Sequence, residues 1–247
     1  MIKIFKRKYF MPILIFLRKI NMVLHQHLYV HKRPEKKYVN TSWENYREES
    51  MKRSYEEFKK YFPEAVFIMF ENIRKYAIKE ALENAKKNKD VSYLEFGVFS
   101  GGSINFFSKY VPTIYGFDAF EGLREDWQGY DVQKGHFDLG GKIPRLNKNV
   151  IPVVGWVQDT LEKFLNEKKP KINFVHMDLD TYPSSKYVLE KIKPFLIKGS
   201  IILFDEIYNY AGWEAGEYKA LKEVFNDNEY KFIAFAKDNH PAIIKIL

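Results

Sequence analysis

The hydrophobic and polar positions of this chain change their spacing at about residue 91. Residues 41–90 carry apolar side chains three and four positions apart among many charged ones, which is typical of amphipathic helices. We predict two helices here, with a break near Pro63, because proline interrupts helical hydrogen bonding. From Val91 onward, short apolar runs alternate with segments of helical spacing. Strands and helices that alternate in this way predict βαβ units and a parallel sheet.

Seven apolar runs are predicted as strands. They are SYLEFGV, TIYGFDAF, VIPVVG, INFVHMDLD, GSIILFDE, KFIAFAK and PAIIKIL. The last two runs have no helical segment between them, so they predict an antiparallel hairpin at the sheet edge. The expected fold class is α/β, with helices on both faces of a mostly parallel sheet.

The positive charge of the chain is concentrated at its start. The 247 residues carry a net charge of +8, and residues 1–40 hold ten Lys or Arg residues and one acidic residue. The rest of the chain is therefore close to neutral and lacks the basic surface that a nucleic-acid-binding domain needs. We divide the chain into a basic arm at residues 1–40, a helical extension at 41–90 and the α/β domain at 91–247.

The basic arm has two interpretations. Its apolar stretch, Phe10 to Leu17, is much shorter than the roughly 20 residues that span a bilayer, and no small-residue cleavage site follows it. The arm could contact a membrane surface weakly, or pack on the domain or on a partner subunit, which we favour. The chain has no cysteine, which agrees with the cytoplasm. We expect a cytoplasmic homo-oligomer, peripheral at the inner membrane surface under the first interpretation.

The first strand of the α/β domain runs into a glycine-rich turn. Glu95, Gly97, Gly101 and Gly102 follow the order E-x-G-x-x-x-G-G. Glycine lets a backbone turn tightly beside a ligand, and the following helix offers free N–H groups. The spacing differs from the G-x-G-x-x-G of dinucleotide sites, and Glu95 would repel a pyrophosphate. The turn therefore favours a cationic cofactor, S-adenosylmethionine, over a nucleotide; a glycine turn without a ligand is the alternative.

Two acidic residues follow the next two strands. Asp118 comes about 20 residues after the glycine turn, where an acidic residue can bind two ribose hydroxyls. An ordinary solvated acid is the alternative. Asp159 either caps the helix that follows it or contacts the adenine, and both interpretations stay open.

Four carboxylates follow the two most apolar strands. Asp178 and Asp180 come after INFV, and Asp205 and Glu206 come after GSIILF. If these strands are parallel neighbours, their ends lie at the same edge of the sheet as the glycine turn. Carboxylates held together repel each other unless a cation lies between them, and oxygen ligands suit Mg²⁺ first, then Mn²⁺ or Ca²⁺. We expect Asp178, Asp205 and Glu206 to bind the ion and Asp180 to act as a general base; helix capping is the alternative.

These motifs together resemble the macrocin O-methyltransferase family. The resemblance runs in unbroken order from about Tyr93 to Phe225 through EFGVFSGGS, YGFDAFEGL, KGHFDLGGKIP, GWVQDTL, HMDLDTYPSSKYVLE and ILFDEIYNYAGWEAGEYKAL. It implies a class I methyltransferase fold and an S-adenosylmethionine- and metal-dependent enzyme. Enzymes of this family methylate hydroxyl groups, often on the sugars of natural products or polysaccharides.

The resemblance also implies roles for individual residues. Asp180 becomes the general base, and Mg²⁺ or Mn²⁺ binds to Asp178, Asp205 and Glu206. The expected cofactor-binding set consists of Glu95, Gly97, Gly101, Gly102, Ser103, Asp118 and Asp159. In one departure, the chain has Asp205 and Glu206 where the family usually has two aspartates, so one carboxylate reaches one methylene further.

A long polar, glycine-containing stretch at residues 124–149 joins two strands, and long structured loops are usually functional. We interpret His136 as part of a closing lid rather than as a residue that touches the acceptor. The loop aromatics could stack on a sugar or cover the cofactor: Trp127, Tyr130 and Phe137. We expect His176 to be a buried histidine, and three aromatics after the second acidic pair to line the acceptor pocket or to pack: Tyr208, Tyr210 and Trp213.

The expected function is methyl transfer from S-adenosylmethionine to a hydroxyl of a sugar or glycosylated small molecule, without a nucleic-acid partner. A catechol-type metal-dependent O-methyltransferase and a non-catalytic S-adenosylmethionine-binding protein are the alternatives. The glycine spacing disfavours a nucleotide-dependent oxidoreductase.

Overall fold

The structure is a computed structural model and describes residues 40–247. The basic arm, with its membrane-contact and packing interpretations, therefore lies outside the described residues, apart from its last position. Among residues 40–247, no helix combines the length and apolarity that crossing a membrane requires. Residues 43–247 form one compact unit; the predicted boundaries near residues 40 and 90 stay predictions.

The described residues contain six α-helices and eight strands. The helices are Ser42–Phe58 (α1), Phe70–Ala85 (α2), Gly102–Phe107 (α3), Val157–Lys168 (α4), Tyr182–Ile192 (α5) and Glu217–Val224 (α6). The strands are Val66–Ile68 (β1), Val91–Phe96 (β2), Ile114–Asp118 (β3), Val150–Val154 (β4), Lys171–Met177 (β5), Leu196–Phe204 (β6), Tyr230–Ala236 (β7) and Ala242–Ile246 (β8). All seven predicted strands are present, and helices occupy the predicted segments between them.

The strands form one sheet in the order β1-β7-β8-β6-β5-β2-β3-β4. Strand β8 is antiparallel to both of its neighbours, β6 and β7. The other neighbouring pairs are parallel. The predicted mostly parallel sheet and its C-terminal antiparallel hairpin are therefore confirmed.

Strand β1 is a feature that the spacing of residues 41–90 did not predict. Val66, Phe67 and Ile68 pair with residues 234–236 of β7, outside the hairpin. Helix α1 ends at Phe58, and a short 3-10 turn at Phe62–Glu64 contains the proline that breaks the helical pattern. The chain then leaves this turn in an extended conformation, so part of the predicted helical extension adds an edge strand to the sheet.

The core lies on both faces of the sheet. Side chains alternate along a strand: on β6, Ile202 and Phe204 face one hydrophobic cluster, and Ile201 and Leu203 face the other. Helices α1, α4, α5 and α6 contribute to the first cluster, and α2 and α3 contribute to the second. Burial on both faces explains why the central strands read as continuous apolar runs.

The carboxyl ends of the central strands are held level with one another. The backbone N–H of Gly97 donates to Phe117 O at 3.0 Å, and that of Asp178 donates to Phe96 O at 2.9 Å. The N–H of Asp205 donates to Met177 O at 3.0 Å. The residues that follow β2, β5 and β6 are therefore presented side by side at one edge.

Candidate active site

A cavity of about 290 Å³ opens at this edge of the sheet. It brings the glycine turn and the four predicted carboxylates to one place. Its polar wall is formed by Asp118, Asp178, Asp180, Asp205 and Glu206. Its apolar and aromatic wall includes Phe99, Phe117, Leu123, Trp127, Phe137, Trp156 and Val157.

Gly97 is the point where the glycine turn meets the backbone of Asp178. Its φ of +85° lies in the left-handed region, which non-glycine residues rarely adopt. A Cβ atom at this position would lie 1.7 Å from the carbonyl oxygen of Asp178. Only glycine therefore allows the end of β2 to approach the backbone that carries the first predicted metal ligand.

Asp118 organises the glycine turn through its own carboxylate. Its Oδ2 accepts the backbone N–H groups of Val98 and Phe99 at 2.8 and 2.7 Å, and its Oδ1 accepts that of Phe120 at 2.7 Å. A carboxylate offers about four acceptor positions, so capacity remains for a ribose hydroxyl. The ribose role of Asp118 stays a prediction.

Glu95 and Ser103 lie beneath the cavity rather than on its wall. Both are buried, and Ser103 Oγ donates to Glu95 Oε1 at 2.8 Å. The other oxygen, Oε2, lies 3.2 Å from Nδ1 of the fully buried His176. Gly101, with a φ of +82°, precedes α3, and Gly102 begins it. None of these four predicted cofactor residues lines the cavity, and their contact with the cofactor stays a prediction.

His176 is a buried histidine, as expected, but it also belongs to the site. Its Nε2 lies 3.2 Å from Asp205 Oδ1, and Arg74 Nη2 of helix α2 lies 3.2 Å from the same oxygen. Burial alone would lower the pKa of His176, but Asp205 and Glu95 outweigh it and raise this pKa to about 10. Burial opposes ionisation of Asp205, but His176 and Arg74 prevail and lower its pKa. Asp205 is thus an ionised carboxylate between two cations.

Among residues 40–247, the other three carboxylates form no salt bridge with Arg74 or His176, although donor atoms of His176 and Asp178 lie within 4.8 Å of each other. Asp178, Asp180 and Glu206 can each direct one oxygen to a common point, with the three atoms within 4.8 Å of one another. Burial and the charge of Asp205 raise the pKa of Asp178 and of Glu206 well above their usual values. Glu206 Oε2 is buried and has no hydrogen-bond partner among residues 40–247. A hard divalent cation fits this all-oxygen set and would relieve its repulsion.

The structure therefore divides the predicted metal ligands between two overlapping groups. Asp178 belongs to both, because its carboxylate also comes within 4.8 Å of donor atoms of His176 and Asp205. Glu206 groups with Asp178 and Asp180, the predicted base. The assignment of Asp178, Asp205 and Glu206 as ligands, with Asp180 as base, stays a prediction.

Asp180 has a left-handed backbone conformation and a carboxyl group with a raised pKa. Its φ of +60° is left-handed, and its side chain is 7% exposed. Burial, followed by the charges of Asp205 and Asp118, raises the pKa of Asp180 to about 7. A carboxylate with this pKa exchanges protons near neutral pH, which suits a general base.

The structure decides one of the two interpretations of Asp159, helix capping, and leaves the adenine contact untested. Trp156 occupies the N-cap position of α4, and Asp159 lies in the first helical turn, so the capping interpretation is wrong. The Asp159 side chain is 68% exposed and lies 3.6 Å from Arg124. The Arg124 guanidinium stacks on the Trp156 ring at 4.2 Å, and both residues line the cavity, whereas Asp159 does not line it. An adenine contact by Asp159 stays a prediction.

The stretch 124–149 covers one side of the cavity. Trp127 and Phe137 line the cavity, and Phe137 packs edge-on against Phe99 with ring centroids 5.1 Å apart. His136 does not line it. The loop backbone at Gly129 packs against Gly212, where a Cβ atom would lie 2.4 Å from the Gly212 Cα. This arrangement fits a covering segment.

The remaining aromatics of this region pack together. Tyr130 stacks on Tyr210 with centroids 5.2 Å apart, and Tyr208, Tyr210 and Trp213 are buried. These last three do not line the cavity, which favours the packing interpretation over a direct acceptor contact.

Two residues at the site were missed in the sequence. Arg74 lies within the amphipathic pattern of helix α2, and Glu217 opens helix α6 as one charged residue among many. Neither has a spacing that marks it. Each becomes visible only when distant parts of the chain meet.

Comparisons with known proteins agree with this geometry. Residues 94–207, which include the glycine turn, Asp118 and the four carboxylates, match a family model described as a methyltransferase domain. A crystal structure of CalS11, a calicheamicin methyltransferase, aligns with a TM-score of 0.58 and 24% identity over 83% of this chain and 93% of that chain. The apo structure of CalS11, TDP-rhamnose 3′-O-methyltransferase, aligns with a TM-score of 0.52 and 24% identity over 83% of this chain and 95% of that one. Comparison with curated proteins gives no match.

The predicted class I methyltransferase fold is therefore confirmed, and residues 94–207 match a methyltransferase domain. This match supports the prediction of an S-adenosylmethionine-dependent methyltransferase. The resemblance to the macrocin family in particular stays a prediction.

Proposed function

We propose that the chain is a divalent-metal-dependent O-methyltransferase that transfers the methyl group of S-adenosylmethionine to a hydroxyl of a sugar-containing small molecule. One observation carries this proposal. The carboxylates after β5 and β6 and the glycine turn after β2 face the same cavity, so a methyl donor and a cation-bound hydroxyl would meet there.

The cofactor side of the cavity supports S-adenosylmethionine. Gly97 allows close approach, Asp118 keeps acceptor capacity for ribose hydroxyls, and Trp156 offers a flat aromatic surface for the adenine. When bound, the cofactor supplies an activated methyl group, and the protein contributes proximity and orientation.

The carboxylate side supports a divalent ion and a proton acceptor. Asp178 and Glu206 would hold the ion, with Asp205 kept ionised by Arg74 and His176. A bound Mg²⁺ or Mn²⁺ lowers the pKa of an acceptor hydroxyl and orients it. Asp180, with its pKa of about 7, would accept the proton of that hydroxyl.

A sugar acceptor is supported by the aromatic wall and by the structural comparison. Trp127 and Phe137 line the cavity, and aromatic rings pack well against the apolar faces of pyranoses and also of aromatic diols. The structural relative CalS11 is described as a TDP-rhamnose 3′-O-methyltransferase. The catechol-type activity is the second candidate, and a non-catalytic S-adenosylmethionine-binding protein is the third.

Methyl transfer to a nucleoside-diphosphate sugar and to a catechol, each with and without EDTA, separates these candidates. We expect S-adenosylmethionine binding in calorimetry, transfer to the sugar and loss of transfer in EDTA. Turnover of the catechol alone would favour the second candidate, and cofactor binding without any transfer would favour the third. Absence of cofactor binding would contradict the proposal as a whole.

Asp180→Asn tests the role of the proposed base. An asparagine keeps the size of the side chain but cannot accept the proton, so the rate should fall by about 100-fold or more. Metal affinity should fall less than in Asp178→Asn. A loss of metal affinity as large as that of Asp178→Asn would make Asp180 a metal ligand instead.

A further inference from the structure

Glu217 is a fully buried acidic residue that the proposed function does not yet use. It is the first residue of helix α6, and its exposure is 0%. Glutamate is almost never fully buried unless its charge is compensated. A buried glutamate beside four other carboxylates therefore requires a physical explanation.

The two oxygens of Glu217 have different surroundings. Oε2 accepts the backbone N–H of Glu206 at 3.3 Å. Oε1 is buried and has no hydrogen-bond partner in the part of the chain that the structure describes. Glu206, whose backbone Glu217 holds, also carries a buried oxygen without a partner. The two free oxygens thus belong to residues that are directly hydrogen-bonded to each other.

Other carboxyl groups lie near this pair. Asp178, Asp180 and Asp205 are close enough to Glu217 for their charges to act on it. The cations of the site, Arg74 and His176, both contact Asp205 instead. Burial and the charges of these neighbours raise the pKa of Glu217 well above its usual value, so its contact with the site is the hydrogen bond to Glu206 rather than a charge.

We propose that Glu217 is a positioning residue of the divalent-metal site: through its hydrogen bond it holds the backbone of Glu206 in place, and so fixes where the Glu206 carboxylate lies. This inference rests on the metal dependence in the proposed function. Among residues 40–247, the two groups whose donor atoms lie within 4.8 Å of one another do not include Glu217. Glu217 therefore acts through Glu206 rather than as a ligand.

Two substitutions test the hydrogen bond of Glu217. Glu217→Gln keeps the side-chain size and an oxygen that can accept the Glu206 N–H, whereas Glu217→Leu removes that oxygen. Outer residues that orient metal ligands typically account for about 10–100-fold in metal affinity, so Glu217→Leu should weaken binding by at least about 10-fold, and Glu217→Gln should bind as the wild type does.

Binding of Mn²⁺, followed by electron paramagnetic resonance in the absence of cofactor and acceptor, provides the measurement. Glu214→Gln is the matched control, because Glu214 lies three residues away but is exposed and paired with Arg53. Its affinity and its bound-Mn²⁺ spectrum should match those of the wild type. Circular dichroism and thermal unfolding check that each variant is folded.

The proposal would be overturned if folded Glu217→Leu bound Mn²⁺ as the wild type does, if Glu217→Gln lost as much affinity as Glu217→Leu, or if the wild type bound none. Weaker binding and a changed spectrum in Glu217→Leu, together with retained binding in Glu217→Gln, would support it. Methyl transfer by a wild type that binds no metal would overturn this role but not the transferase activity. Mn²⁺ binding that depends on Glu217, without any methyl transfer, would support this role of Glu217 but contradict the proposed transferase activity.

Discussion

Acidic residues in and around the two halves of the cavity differ in how many protein groups compensate their charge. On the side of β2 and β3, Asp118 accepts three backbone N–H groups, and Glu95 is bound by Ser103 and paired with His176. On the side of β5 and β6, Glu206 and Glu217 each keep a buried oxygen that has neither a hydrogen bond nor an ion pair among the described residues, whereas the second oxygen of Glu95 has the ion pair with His176. The first half is stabilised by contacts within the protein, whereas the second, called the incomplete side below, leaves carboxyl groups without such contacts and is where we propose that a cation binds. The difference indicates which acids build the fold and which are available for chemistry.

The largest expected effect comes from removing a carboxylate on the incomplete side. Asp178→Asn takes a charge from the residue that both acidic groups share. Methyl transfer should fall by more than the roughly 10–100-fold that outer residues of metal sites typically account for. S-adenosylmethionine affinity, measured by calorimetry, should stay close to that of the wild type. An equal loss of cofactor affinity would contradict the separation of the two halves.

Gly97→Ala tests the point at which the halves meet. A left-handed backbone costs a non-glycine residue about 1–3 kcal/mol, and the new Cβ would also clash with the Asp178 carbonyl. The free energy of unfolding should fall by at least this amount, and methyl transfer should fall with it.

Gly102→Ala is the matched control for this substitution. A Cβ at Gly102 meets nothing within 4 Å, and alanine favours a helix by up to about 1 kcal/mol over glycine. Stability should therefore stay equal or rise, as read by chemical denaturation. If both variants behaved alike, the close approach of Gly97 to Asp178 would be unimportant.

The incomplete side should also determine how stability depends on pH in EDTA. The pKa of Asp180 is about 7 in the fold, against about 3.9 in an unfolded chain. A carboxyl group with a raised pKa stabilises the fold at low pH and loses that contribution as the pH rises through the folded value. The Tm in EDTA should therefore fall between about pH 4 and pH 7.

Because of His176, the Tm in EDTA should continue to fall above pH 7. Its pKa of about 10 lies above the unfolded value of about 6.5, so its contribution is lost between those values. Saturating Mg²⁺ should flatten the curve below pH 8, because the ion favours the ionised carboxylates. A Tm in EDTA that does not fall with pH would contradict the raised pKa values of Asp180 and His176.

The smallest effect is expected at Arg74. Arg74→Gln removes one cation from Asp205 in a partly buried contact, and leaving such a group less satisfied costs about 1–3 kcal/mol. Arg53→Gln, which breaks the exposed pair with Glu214, should cost less than about 1 kcal/mol. Urea unfolding of both variants compares them. Equal costs would mean that Asp205 does not depend on Arg74.

Much of this arrangement could be predicted from local patterns. Parallel strands end at one edge, so the acids after INFV and GSIILF could be expected to meet beside the glycine turn. The antiparallel hairpin followed from two strands without an intervening helix. Strand β1 could not be predicted in this way, because its three residues become a strand by pairing with β7, and its apolar run continues the helical spacing on both sides.

The contacts of single charged residues could not be predicted from the sequence for a different reason. Arg74 and Asp205 are 131 positions apart, and the register that joins them depends on how helix α2 packs on the sheet. Glu217 opens a helix where an acidic residue is usual, so its pattern indicated nothing beyond a favourable helix start. Its burial depends on the turn that follows Glu206.

The central claim is that the acids after β5 and β6 are completed by a divalent cation. Calorimetric titration of the full chain with Mg²⁺, repeated with Asp178→Asn, tests it most directly. The account predicts saturable binding of a single ion to the wild type and none to Asp178→Asn. Equal binding by both proteins, or binding by neither, would contradict it.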